Sequence, residues 1–209
     1  MNELLKSESG VRQMPYYHSV TLDTDRCKGC TNCIQHCPTE AIRVRGGKAK
    51  IIKDRCIDCG ECIRVCAARA KRAVTDSFEA LAGYEYNIAI PAPALYGQFG
   101  RNMTVDKVLT GLLEIGFDDV FEVARAAEYV SAFTRKMLDE GKLPQPAISS
   151  ACPAVVKLIT VRFPSLIGNV VNFLEPMEVA ARMARREARK KTGLPDEKIG
   201  VFFITPCPV

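Results

Sequence analysis

A small α+β domain organised by cysteines, followed by an α/β layer in which helices cover a parallel sheet, is the fold class the sequence predicts. Three observations carry that expectation. Two copies of a four-cysteine run lie near the start, a hairpin signal separates them, and strand and helix patterns alternate from about Tyr84 onward. The expected boundaries are an N-terminal arm over 1–19, the cysteine domain over 20–70, a connector over 71–84 and the α/β part over 85–209.

The arm, 1-MNELLKSESGVRQMPYY-17, has no apolar core of the secretory kind. No stretch of the chain approaches the roughly 18 consecutive apolar residues that a membrane span needs. A reducing, cytoplasmic setting is therefore expected, and there ten cysteines signify metal ligation rather than a disulfide framework.

The two runs are 27-CKGCTNCIQHCP-38 and 56-CIDCGECIRVCA-67, a step of 29 residues from Cys27 to Cys56. Each reads C-x2-C-x2-C-x3-C, the spacing of thiolates that hold a pair of 4Fe-4S clusters. A tight loop offers three sulfurs to one cluster, and the fourth cysteine, on the turn that follows, reaches the other. The expected sets are Cys27, Cys30, Cys33 and Cys66 for the first cluster, and Cys56, Cys59, Cys62 and Cys37 for the second. Zinc also takes four thiolates, but in two well-separated pairs, which suits three cysteines at three-residue steps poorly. Clusters ligated by thiolates are anionic, which offsets the formal net charge of +5 and removes the reason to invoke nucleic acid. His18 and His36 are bystanders, since the cysteines already complete both sets. Between the runs, 41-AIRVRGGKAKII-52 alternates apolar and polar residues about Gly46-Gly47, a hairpin signal.

Residues 68-ARAKRAVTDSFEALAG-83 read as a connector. Next, 86-YNIAIPA-92 reads as a buried strand ended by proline. The stretch 104-TVDKVLTGLLEIG-116 has Thr104 as N-cap and Gly116 past its end, with Val105, Val108, Leu109, Leu112 and Leu113 on one helical face. A short strand follows at 119-DVFEV-123. Residues 124-ARAAEYVSAFTRKMLDEG-141 form a second amphipathic helix, with Ala126, Val130, Phe133 and Met137 on its face. Strand gives way to helix across Cys152-Pro153 in 147-AISSACPAVVKLI-159. The last helix, 176-PMEVAARMARREARKKTG-193, leads to the strand 199-IGVFFI-204. Its stripe of Met177, Ala180, Ala181, Ala184 and Ala188 makes the basic residues a solvated face rather than a binding patch.

Cys152 and Cys207 each sit before a proline, in Ser-Ser-Ala-Cys-Pro and Thr-Pro-Cys-Pro, at expected strand ends. A lone cysteine is most often a small buried hydrophobe, but sites in parallel α/β sheets gather outside the carboxyl ends of strands. A dicluster ferredoxin segment followed by 149-SSACPAVVKLITVRFPSL-166 and 202-FFITPCPV-209 resembles the large subunit of iron-only (di-iron) hydrogenases, as does 116-GFDDVFEVARAAE-128. The resemblance implies that Cys152 and Cys207 ligate the cube of the catalytic H-cluster, the site of hydrogen chemistry. Ala151 stands where the family carries its proton-relay cysteine, and no tryptophan follows Pro153, so the chain looks closest to the presumed sensory lineage. The family's third cysteine motif is not found before Val209, so the hydrogenase-like domain reads as incomplete, with an H-cluster expected only in a complete chain. Electron transfer through two 4Fe-4S clusters is the expected activity, with a ferredoxin-like protein or a reductase as redox partner and neither nucleic acid nor membrane. The alternatives are an active hydrogenase when complete, and a non-catalytic hydrogenase-derived regulatory or iron–sulfur assembly protein.

Overall fold

The structure, a computed structural model, describes residues 17–208; most of the expected N-terminal arm and Val209 lie outside them. In chain order the strands are β1 (Val20–Leu22), β2 (Ile42–Arg45), β3 (Lys48–Ile51), β4 (Lys71–Ala73), β5 (Tyr86–Pro91), β6 (Asp119–Val120) and β7 (Ile199–Ile204). The helices are α1 (Asn32–Gln35), α2 (Glu61–Arg64), α3 (Pro93–Tyr96), α4 (Val105–Glu114), α5 (Val123–Asp139), α6 (Pro153–Arg162) and α7 (Pro176–Thr192). The described residues form two compact units. One holds the cysteine runs together with Gln145–Val171 and the residues from Cys207; the other holds Asp76–Pro144 and Asn172–Pro206.

In the cysteine unit, β2 and β3 make the expected hairpin, antiparallel with Ile42 opposite Ile51 and Arg45 opposite Lys48. Gly46 and Gly47 turn it with φ of 58° and 71°, the left-handed pair that a two-residue hairpin loop requires. β1 pairs antiparallel with β4, Leu22 opposite Lys71. A shift of 29 residues carries Leu22 to Ile51 and Ile42 to Lys71, so the two ladders are copies of one another. The backbone repeats as well: left-handed φ values occur at Gly29 and Asp58, at Thr31 and Gly60, and at Glu40 and Arg69. Four of these six positions are not glycine, a conformation that few such residues adopt. A repeated framework therefore selects it.

β4 takes 71–73 out of the expected connector and into this unit. Lys-Arg-Ala carries no apolar alternation; its strand character comes from a partner 51 residues away in sequence, at Thr21↔Arg72. The core cluster of the cysteine domain is small, Ile42, Ala49 and Ala70 with Cys27, with Cys33, Cys37, Cys62 and Cys66 packed against it, and Val20, Ala41, Cys56 and Ile57 are also buried. A domain of this size with so little core ordinarily depends on metal or disulfides for stability. In the same unit Arg162 of α6 lies 3.5 Å from Glu40, which also meets Arg43 and Arg55 at 3.7 Å. All are exposed, so each pair contributes little.

The other unit contains a parallel three-stranded sheet in the order β6-β5-β7. Ile88, Ile90 and Ile199 are buried between sheet and helices with Val179, Ala180, Ala184 and Ala188 of α7. Small alanines let α7 lie close to α5 and the strands, as the expected stripe required. Gly193 closes α7 in the left-handed conformation at φ 74°. Thr104 caps α4 by accepting from the Lys107 N–H at 3.3 Å. The apolar face of α4 is narrower than its pattern suggested. Val108 and Leu112 are buried, while Val105 and Leu113 are 41% and 46% exposed. The basic face of α7 is mostly solvated and paired, with Arg182 to Glu178 and Lys191 to Asp119, but the Arg185 Nε is buried without a hydrogen-bond partner among the described residues. Replacing the fully packed Ala184 with leucine should cost about 1–3 kcal/mol by overpacking, read as a lowered urea midpoint with an unchanged slope.

The strand expected before Cys152 does not form. Residues 147–151 contribute an isolated bridge, Ile148 to Val170, and the Ala151 N–H turns back to the Ser149 Oγ at 3.2 Å. A serine that captures a nearby backbone donor competes with a ladder. Cys152 therefore stands at the start of α6, not at the carboxyl end of a sheet strand.

Candidate metal centre

Each cysteine run wraps around its own left-handed turns and then enters a four-residue helix, α1 or α2. The short helix ends at once, and the last cysteine of the run, Cys37 or Cys66, sits on the turn beyond it. The chain then approaches β2 or β4, and an N–H on that approach holds the sulfur. Ala41 donates to Cys37 Sγ and Ala70 donates to Cys66 Sγ, both at 3.2 Å. Ala49 on the hairpin donates to Cys27 Sγ at 3.3 Å, and Lys48 Nζ donates to the Cys27 carbonyl at 2.8 Å. Hydrogen bonds to sulfur are among the features that set cluster potentials.

Two cavities of similar size result. Cys27, Cys30, Cys33 and Cys66 line one; Cys37, Cys56, Cys59 and Cys62 line the other. Each cavity thus collects three sulfurs from one run and the last sulfur from the other run. Cys30 and Cys59 are exposed at the rims, and Cys27 and Cys56 are buried.

Burial raises several of these thiols. It pushes Cys62 up to about 12 and Cys56 to about 11, and it raises Cys33 and Cys59. Cys27 moves the other way, because the Ala49 and Gly29 amides point at its sulfur. A coordinated metal deprotonates such thiols outright. Four sulfurs in an apolar-lined cavity with amide donors fit a 4Fe-4S cluster. The Lys71 side chain supports the same fit. It is 3% exposed, lines the cavity of Cys27, Cys30, Cys33 and Cys66, and its Nζ has no hydrogen-bond partner among the described residues. A buried cation so placed calls for an anionic neighbour.

His36, expected as a bystander, bonds the Asn32 carbonyl at 2.9 Å and is exposed. His18 is closer to the chemistry than expected: its Nδ1 lies 2.7 Å from Asp58 Oδ2, and it groups with Asp58 and Cys56. Asp58, 2% exposed, also accepts from the Val20 N–H at 2.9 Å. Neither Lys71 nor Asp58 stands out in the sequence, although laying one cysteine run over the other places Lys71 on Ile42 and Asp58 on Gly29. Cys152 and Cys207 are both exposed and, among the described residues, line neither cysteine cavity. Pro208, next to Cys207, packs on Gly60 in the second cysteine loop, its Cγ 2.6 Å from where a β-carbon would stand.

These features define an iron–sulfur protein of the dicluster class. The profile described as "4Fe-4S dicluster domain" matches residues 19–67, and that described as "Iron only hydrogenase large subunit, C-terminal domain" matches residues 85–208. The chain belongs to the iron-only hydrogenase large-subunit family. It is 28% identical over 209 aligned residues to the periplasmic [Fe] hydrogenase large subunit of Nitratidesulfovibrio vulgaris, covering 91% of this chain and 50% of that one. Iron hydrogenase 1 of Clostridium pasteurianum is 24% identical over 114 residues, covering 52% of this chain and 19% of that one. A ferredoxin of Methanothermococcus thermolithotrophicus is 43% identical over 37 residues, 17% of this chain and 62% of that one. The chain spans about half the length of the Nitratidesulfovibrio relative. No helix among the described residues is long and apolar enough to cross a membrane.

Proposed function

We propose that this chain conducts electrons, as part of a hydrogenase-like protein, along two 4Fe-4S clusters held in the two cysteine cavities. When bound, the clusters supply two one-electron acceptors. The observation that carries this reading is the crosswise assembly of four thiols in each cavity, since it ties both sites into one small body close enough for charge to pass. Cys27, Cys30, Cys33 and Cys66 hold one cluster; Cys56, Cys59, Cys62 and Cys37 hold the other. The amides of Ala41, Ala49 and Ala70 orient the sulfurs and stabilise their charge. The rim cysteines Cys30 and Cys59 leave each site an exposed edge at which a protein donor or acceptor can dock.

Cys152 and Cys207 serve a further, hydrogenase-type cluster in the whole protein. Ala151, exposed and without an ionisable group, supports a sensing role over rapid turnover, because it cannot relay a proton. The dependence on reduced thiols suits a cytoplasmic setting.

Anaerobic reconstitution with iron and sulfide should give about eight of each per chain and two one-electron reductions. The same material should evolve no hydrogen from reduced viologen. Colourless, folded, iron-free protein, or protein that retains zinc in preference to iron, would overturn the reading.

A further inference from the structure

The two cysteine copies keep the same sulfur framework and change the charge beside it. The shared step of 29 residues matches Cys27 with Cys56, Ala41 with Ala70, Ile42 with Lys71, and Gly29 with Asp58. Hydrogen bonding at matched positions is alike: the Ala41 and Ala70 amides each reach their sulfur at 3.2 Å. The next residue differs. Lys71 lines one cavity, and apolar Ile42 lines the other. Lys71 is 3% exposed, away from bulk solvent, and its Nζ has no hydrogen-bond partner among the described residues. In the other cavity the matched difference has the opposite sign. Asp58, 2% exposed, lines the site of Cys56 with Oδ1 3.7 Å from Cys56 Sγ, where the first copy has Gly29. Its oxygens are held by the Val20 N–H and by His18.

We propose that Lys71 and Asp58 set the two clusters at different potentials, so that the site of Cys27, Cys30, Cys33 and Cys66 is reduced first. This rests on the dicluster reading above. A cluster becomes more negative on reduction, so a buried cation beside it favours the reduced state and a buried carboxylate opposes it. In a medium of low dielectric these charges act strongly over a few ångströms. The field of Lys71 reaches Cys27 and Cys33 in its own cavity and Cys62 in the other. The quantity it controls is therefore the gap between the couples, together with a shared offset. Asp58 acts on that gap in the same sense, by lowering the second site. The pair makes the conductor directional in its rest state: an electron delivered to either site settles on the one beside Lys71.

The test is a spectroelectrochemical titration of the reconstituted full chain, with iron content measured on the same samples. The wild type should show two resolved couples. In Lys71→Ile, which copies the residue of the other cavity, the gap should shrink by a factor of about ten in relative reduction equilibrium, about 59 mV for a one-electron couple. Asp58→Asn should narrow it from the other side by raising the lower couple. Ile42→Lys, which adds a cation rather than removing one, should also narrow the gap, and Lys71→Arg should preserve it. Full iron loading with a gap unchanged in Lys71→Ile and Ile42→Lys overturns this proposal alone. Wild-type couples that coincide overturn it too, as does a Lys71→Arg variant that behaves like Lys71→Ile. Failure of the wild type to load about eight irons would instead overturn the dicluster reading on which it stands.

Discussion

Replacing Cys66 with alanine should abolish the redox couple served by Cys27, Cys30 and Cys33, although Cys66 belongs to the second cysteine run. The cavity that Cys66 lines contains no other sulfur from its own run. Its backbone sits on the turn that leads into β4, and the Ala70 amide fixes the sulfur there. Losing this thiolate leaves three ligands for a four-ligand cluster. The mirror case is Cys37→Ala, which should abolish the couple served by Cys56, Cys59 and Cys62. Iron analysis and reduced-state EPR of four single variants separate the possibilities. Cys27→Ala and Cys66→Ala should remove the same signal, and Cys56→Ala and Cys37→Ala the other. Because members of one site act as a unit, Cys27→Ala combined with Cys66→Ala should be little worse than either alone. Cys27→Ala combined with Cys37→Ala should remove both signals. If Cys66→Ala and Cys56→Ala removed the same signal, each run would be serving its own cluster, and the crosswise assignment would fail. The couple lost in Cys66→Ala should also be the one that Lys71→Ile lowers more.

Much of the cysteine domain was legible because spacing alone constrains it. Two runs at short steps leave few ways to surround a cluster, and Gly46-Gly47 between alternating residues marks a hairpin. The α/β half was legible where amphipathic periods were long, as in α5 and α7. It was less so where burial depends on partners remote in sequence. The α4 pattern has five apolar residues, but a three-stranded sheet covers only part of that face, so Val105 and Leu113 remain exposed. β4 escapes sequence reading because Lys-Arg-Ala has no strand signature and is ordered by β1 far upstream. The strand expected before Cys152 fails for a local reason, since Ser149 diverts the backbone. Lys71 and Asp58 are hidden for a related reason. A charged residue is ordinarily solvated, and only the fold shows that these two are buried beside sulfur. Setting the two runs against each other exposes both, because the framework repeats and these charges do not.

Gly29→Ala should be among the most damaging single changes outside the cysteines. Gly29 has φ of 66°, and a β-carbon there would run into the Gly47 carbonyl oxygen at the tip of the β2–β3 hairpin. The tip cannot simply retreat. The ladder pairs Arg45 with Lys48, and Lys48 Nζ and the Ala49 amide both hold Cys27, two residues before Gly29. Moving the hairpin therefore moves Cys27, a proposed cluster ligand. Left-handed strain contributes about 1–2 kcal/mol, and displacement of packed backbone should add about 1–3 kcal/mol. Gly46→Ala and Gly47→Ala provide the control: both positions have positive φ, but a β-carbon there meets open space, so only the strain should register. Asp58 shows that the matched turn of the second run accepts a side chain at φ 52°. Cluster retention during a urea titration, followed by visible absorbance, ranks the three variants. Gly29→Ala should bleach at a clearly lower urea concentration than either hairpin variant. Equal midpoints for all three would mean that the hairpin does not clamp the first cysteine loop, and that the asymmetry between Gly29 and Asp58 has no packing cause.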